Sequence, residues 1–413
     1  MIIKNVFGYE ILDSRGNPTT ASLVELEDGT QARAYVPSGA STGAHEAVEL
    51  RDKDEKRYHG QGVLQAVHNI NTEIAAALIG KDSAKQRELD NILIALDGTP
   101  NKARLGANAI LAVSLALARA TAISQKKQLY QYIRELYGND TGIDKVFPQI
   151  GFNVLNGGKH ADSGLDIQEY MIMPQKDSIA ENIRLASEIY HTLKKILAKQ
   201  GQVTAVGDEG GFAPHLQNNE EGLKLLVQAI TEAGYIPGED CSIALDAAAT
   251  ELFSVETNLY TLDKQQYTAS ELSGIYQNWI QQYPIISLED PFAEDDYTAW
   301  QVFQQTITPG IRLVGDDLLV TNTRRIQEAI DKQLCNSVLI KPNQIGTLTE
   351  VIDAIQLAHQ NQFTTMISHR SGETIDTFIS DLAVASRSAY MKSGAPARAE
   401  RVSKYNRLLE ISY

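Results

Sequence analysis

From Gln149 onwards, short apolar runs end at a single polar residue and give way to helical stretches. Ser242–Leu245 leads to Asp246, Pro284–Leu288 to Glu289, Ile311–Gly315 to Asp316, Ser337–Ile340 to Lys341, and Thr365–Ser368 to His369. From Asp316 to Lys392 these terminal positions recur roughly 25 residues apart, which is the pitch of strand–helix units. The pattern predicts an α/β barrel. A parallel barrel carries the C-terminal ends of its strands on one face, so residues remote in sequence are predicted to line one site.

The N-terminal third has a different rhythm. Thr19–Leu26 and Gln31–Val36 read as strands around the turn Glu27-Asp28-Gly29, and helical periodicity begins near Val63. The most apolar segment, Ala107–Ile123, is rich in Ala and contains Ser114, Arg119 and Thr121, so it reads as a buried helix rather than a membrane span. The turn-rich stretch 137–142 separates the two patterns. We therefore expect an α+β capping domain over 1–137 and a barrel over 138–413, in line with a chain of 413 residues that exceeds one core.

Composition narrows the partners. With 43% hydrophobic and 22% charged residues the chain has the make-up of a globular protein, and its net charge of −15 argues against nucleic acid or an anionic membrane surface. An anionic substrate would need a local reversal of field, which divalent cations with a few Lys and Arg supply. Cys241 and Cys335 form no metal or disulfide pattern, and Met1–Val6 lacks the features of a signal peptide, so a cytoplasmic location is expected.

Asp246, Glu289 and Asp316 offer three carboxylates at predicted strand ends, a hard oxygen set suited to magnesium. Singly, each reads more readily as the cap of a following helix, but three in consecutive units favour the metal. Lys341 is a candidate base, since an amine held near metal cations has its pKa lowered. Glu209 lies between glycines in 207–211, where the backbone can approach a ligand closely. His160 follows Asn156-Gly157-Gly158-Lys159, and Gln168 and Glu169 precede the apolar run to Pro174. Arg370 and Ser371, just past a strand end, are good phosphate binders. The loop 37–43 is suited to closing over a ligand and lending hydroxyl and carbonyl oxygens to a metal.

Together with Asp13-Ser14-Arg15-Gly16-Asn17-Pro18-Thr19 and Gly106-Ala107-Asn108-Ala109-Ile110, these motifs resemble enolase along nearly the whole chain. The resemblance implies an α+β cap and an eight-stranded TIM-like α/β barrel whose first strands depart from strict alternation. It implies Mg2+-dependent, reversible dehydration of 2-phosphoglycerate to phosphoenolpyruvate, with two Mg2+ per active site. Asp246, Glu289 and Asp316 then correspond to ligands of the tight ion, and Ser41 to a ligand of the weaker one. Lys341 corresponds to the base at C2, Glu209 to the acid at the C3 hydroxyl with Glu169 in support, and His160 and His369 to polar neighbours of the reacting carbons. Arg370 and Ser371 correspond to phosphate contacts, and Lys392 and Gln168 to further substrate contacts.

Departures from the family are also visible. Tyr9, Ala21 and Glu410 stand where Arg, Glu and Arg of its dimer contact are usual, so a homo-oligomer would have to form without the usual intersubunit ion pair. Ala389-Tyr390-Met391 replaces a common Gly-Gln-Ile ahead of Lys392, a change expected to alter the edge of the substrate pocket in this reading. The sequence stops at Tyr413, ahead of the family's usual C-terminal tail. Two other readings compete: a related barrel enzyme acting on sugar acids, and an enolase-like surface or structural binding protein with little catalysis.

Overall fold

The structure is a computed structural model and describes residues 1–39, 43–138, 145–161 and 163–413. Strands β1 (Ile3–Leu12), β2 (Pro18–Leu26) and β3 (Gln31–Tyr35) form an antiparallel meander in chain order. Helix Ala107–Ser124 packs on this sheet and is 83% buried; among the described residues it is the one helix long and apolar enough to cross a membrane. A helix that is apolar all round belongs inside a core, which is where it lies.

Asn108, in the first turn of this helix, explains the motif around it. Its side chain accepts from Leu50 N at 3.1 Å and donates to Leu50 O and Thr20 Oγ1, both at 3.2 Å. Each such buried hydrogen bond contributes about 1 kcal/mol net, and more is lost when one partner is left bare.

After the cap come β4 (Gln149–Asn156), β5 (Glu169–Pro174) and β6 (Cys241–Asp246), then a small sheet of β7 (Phe253–Ser254), β8 (Leu259–Leu262) and β9 (Gln265–Tyr267). The strands β10 (Ile285–Glu289), β11 (Arg312–Gly315), β12 (Ser337–Ile340), β13 (Thr364–Ser368) and β14 (Tyr390–Lys392) complete the set. Eight of them close a barrel in the order β10-β11-β12-β13-β14-β4-β5-β6. Seven run parallel, but β5 is antiparallel to both β4 and β6.

That reversal places the site. Because β5 runs backwards, its first residue, Glu169, stands opposite Asp246, the last residue of β6, which is level with Glu289, the last residue of β10. Lys392 is level with Ser368 in the same way. One rim therefore collects chemistry from both ends of strands.

The helices around the barrel have their own caps. Ser178, Asn218, Thr268, Asp296, Asn322 and Thr347 each accept a backbone N–H in the first turn of the helix they precede. Such caps stabilise by about 1 kcal/mol each. Asp246, Glu289 and Asp316 cap none of these helices, which removes the simplest structural explanation for three acids at strand ends.

The cap is tied to the barrel at the site's edge. Ser38 and Gly372 exchange backbone hydrogen bonds of 2.7 and 2.8 Å, and Ser38 Oγ donates to Asp13 Oδ2 at 2.7 Å. A Cβ on Gly372 would come within 2.4 Å of Ser38 Oγ, so only glycine allows this approach. Farther out, Thr349 donates through its N–H and hydroxyl to buried Asp90.

Candidate active site

At the rim lies a cavity lined by His160, Gln168, Glu169, Glu209, Asp246, Asp290, Asp316, Asp317, Lys341, His369, Arg370, Ser371 and Lys392, among others. Six of these side chains are carboxyl groups and three are cationic, so a doubly anionic ligand would be repelled unless further positive charge were present. This all-oxygen acidic donor set fits a hard divalent cation.

Lys392 is the hub of one half. Its Nζ lies 2.8 Å from Glu289 Oε2, 3.1 Å from Glu169 Oε2 and 3.4 Å from Asp246 Oδ2. Burial opposes its charge, but these carboxylates outweigh burial and hold the ammonium well above its ordinary pKa. In the other half Lys341 pairs with Asp316, which also accepts from Gln344 Nε2 at 2.8 Å. Here too burial is outweighed by the carboxylate, so the Lys341 pKa is raised. The expectation of a lowered value presupposes cations beside the amine; with Asp316 as its partner the opposite holds.

Glu209 and Glu169 lie close together, and their surroundings act on them in opposite directions. Burial pushes Glu169 well above the usual carboxylate range, and the neighbouring Glu209 adds to the shift. Burial acts on Glu209 as well, but His160, His369 and Arg401 overcome it and hold that carboxyl well below the range. Glu209 is fixed by Asn153 Nδ2 at 2.9 Å, with His369 Nε2 at 3.3 Å and His160 Nε2 at 3.7 Å. His160 Nδ1 faces Glu169 Oε1 at 3.9 Å, and burial lowers the pKa of this imidazole. The glycines of 207–211 serve this packing: a Cβ on Gly211 would stand 2.4 Å from Asn156 Oδ1.

Arg370 reaches the same cavity from the loop after β13, donating to Glu46 at 2.9 and 3.1 Å and to Asn343 Oδ1 at 3.0 Å. Comparison with known proteins then decides the family. The model for "Enolase, C-terminal TIM barrel domain" matches residues 144–413, and that for "Enolase, N-terminal domain" matches residues 3–133. A curated relative named Enolase, from Bifidobacterium longum subsp. infantis, is 51% identical over 411 residues, covering 99% of this chain and 94% of its own length. The chain belongs to the enolase family. It is an enzyme of that family's class, the carbon–oxygen hydro-lyases.

The enolase barrel brings all but one of the anticipated residues to one place. Ser41 lies outside the described residues. Among the described residues, the groups of three whose ligand atoms lie within 4.8 Å of one another are Asp290, Asp316 and Asp317, and His160, Glu169 and Glu209. Asp246 and Glu289 instead turn to Lys392, whose ammonium stands among them as a cation.

Sequence reasoning missed Asp290 and Asp317. Asp290 accepts the N–H of Asp316 at 2.9 Å and of Asp317 at 2.8 Å, and so shapes the turn after β11. Burial and Asp316 push the Asp317 carboxyl up to about 8. Each follows an anticipated acid directly, and the doublets Glu289-Asp290 and Asp316-Asp317 were the available signal. Tyr390 is a correction. Two residues before Lys392 on β14, it packs against Met171, Met173 and Ala244 on one side and Val314, Leu339 and Met366 on the other. It therefore fills the barrel below the rim, and is not among the residues that line the rim cavity.

Proposed function

We propose that this chain carries out the Mg2+-dependent, reversible dehydration of 2-phospho-D-glycerate to phosphoenolpyruvate, with two Mg2+ per active site. The observation that carries the reading is the convergence of one lysine, Lys341, and a carboxyl pair, Glu169 and Glu209, on a single acid-lined cavity that also holds Arg370 and Lys392.

Asp246, Glu289 and Asp316 are the residues we assign to the tighter ion, and Ser41 to the weaker one. When bound, the ions supply positive charge opposite the substrate's carboxylate and phosphate and stabilise the charge that develops as the C2 proton leaves. With Asp316 engaged by the ion, Lys341 would be released from its ion pair and its pKa lowered by the nearby positive charge, and as the neutral amine it takes that proton. Arg370 and Ser371 hold the phosphate, for which Arg370 exchanges its contact with Glu46. Lys392 and Gln168 contact the substrate's other end, and Lys392 stays cationic there. Glu169 and Glu209 share one proton, because two carboxylates so close in a buried site cannot both ionise, and Glu209 passes it to the leaving C3 hydroxyl. His160 and His369 keep Glu209 in place.

The same reading places the division between cap and catalytic barrel at 137/138 and the enzyme in the cytoplasm. Support for the second is that both cysteines are buried free thiols. Ala21 is fully buried and Glu410 pairs with Arg407 of its own helix at 3.3 Å, so a homo-oligomer would use contacts other than the usual ion pair.

The test follows phosphoenolpyruvate absorbance from 2-phosphoglycerate, with and without Mg2+, for the natural protein and Lys341→Ala. Product should form only with metal and almost entirely disappear in the variant. Equal rates for the two proteins would remove Lys341 from the mechanism.

A further inference from the structure

Arg401, on the helix Ala399–Ser412, is fully buried and touches two separate loops of the site from behind. Its Nη1 lies 2.6 Å from His369 Nδ1 and donates to Arg370 O at 2.6 Å; its Nη2 donates to Ser371 O at 2.6 Å and Asp208 O at 3.1 Å. Glu400 Oε1 lies 3.4 Å from its Nε. One guanidinium thus joins the C-terminal helix, the loop that carries Glu209 and the loop that carries Arg370.

The chemistry of the contact is restrictive. Guanidinium has donors only and stays protonated, so His369 Nδ1 at 2.6 Å must be the acceptor and carry no hydrogen. The ring proton then sits on Nε2, which faces Glu209 Oε2 at 3.3 Å. An imidazolium would bring an N–H against the guanidinium and is disfavoured by the same contact. We infer that Arg401 is a positioning residue for the dehydration: it fixes His369 as the neutral, Nε2-protonated tautomer and locks the Glu209 loop to the Arg370–Ser371 loop. This rests on the roles given above to Glu209 and Arg370. Arg401 itself does not line the cavity.

The expected consequence is a loss in kcat rather than in KM, since displacement of reacting groups by about 1 Å costs roughly 10²-fold in rate. Arg401→Lys keeps the charge but cannot span four acceptors, and Arg401→Met removes charge and fork together; thermal melts identify whichever variant is folded. The tautomer is read from the ¹⁵N shifts of His369 in protein labelled at histidine, assigned with His369→Gln. The natural protein should show protonated Nε2 and bare Nδ1. A folded variant should show a mixed or protonated ring and kcat lowered about 10²-fold with little change in KM. An Nδ1-protonated ring in the natural protein, an unchanged His369 signal in a folded variant, or an unchanged kcat would each overturn the inference. The tautomer measurement needs no substrate, so it stands even if 2-phosphoglycerate proves not to be turned over.

Discussion

Lys392 Nζ lies 2.8 Å from Glu289 Oε2, a contact between the ends of β14 and β10 across the barrel rim. Glu169 and Asp246 close around the same ammonium, so one cation balances three buried acids. Removing it leaves charges that water cannot reach. Breaking such a buried pair by deleting one partner costs about 3–5 kcal/mol. Lys392→Met should therefore melt well below the natural protein in metal-free buffer, and Mg2+ should restore part of the difference by binding only the folded acids. Calorimetry with and without EDTA checks this. Equal melting of both proteins in EDTA would show that the three acids are not held by Lys392.

The proton-sharing pair gives a second expectation. Glu209→Gln keeps the shape of the side chain but removes its acid, so net dehydration should slow by about 10²–10⁴-fold, the usual worth of a general acid. Exchange of the C2 proton with deuterated solvent depends on Lys341 and should continue. Proton NMR of 2-phosphoglycerate follows both events in one tube. Lys341→Ala should stop both, and loss of C2 exchange in Glu209→Gln would merge the two roles that the reading keeps apart.

Much of this arrangement was legible because strand ends are punctuated in the sequence. The runs that stop at Asp246, Glu289, Asp316, Lys341 and His369 stop at the rim of the barrel, or one residue beyond a strand that reaches it. Side-chain alternation, by contrast, was not fully used: on β14, Tyr390 and Lys392 share a face one layer apart, which puts Tyr390 in the barrel interior. Arg401 had no signal at all. It sits in an amphipathic helix among other charged residues, and only packing against the loops after β13 and around Glu209 gives it partners. The different surroundings of Glu169 and Glu209 were likewise hidden, since those of Glu209 depend on Asn153 and two imidazoles from distant segments.

Cys241 and Cys335 offer a check on the core. They are 0% and 3% exposed, and burial pushes both thiols up to about 12. The thiolate is the reactive form, so at pH 8 only on the order of 10⁻⁴ of either would be reactive even if reagent could enter. Iodoacetamide should leave both unmodified in the folded protein and label both in guanidinium chloride, as read by mass spectrometry. Rapid labelling of either in the native state would contradict the packing around β6 or the approach to β12.

His369 makes a prediction about acid. Burial carries its imidazole down to about 3 against an ordinary 6.5, with Glu209 opposing the shift and Arg401 reinforcing it. Between those values the unfolded chain binds a proton that the folded chain refuses. Stability attributable to His369 is therefore highest above pH 6.5 and falls as pH drops, by up to about 1.4 kcal/mol per unit for one proton. Urea unfolding at pH 7, 6 and 5 should show the natural protein losing more stability per unit than His369→Gln, which has no ring to protonate on unfolding. The sign is decisive: parallel losses in the two proteins would mean that His369 takes up its proton in the folded state, and an imidazolium there is incompatible with Arg401 donating to Nδ1.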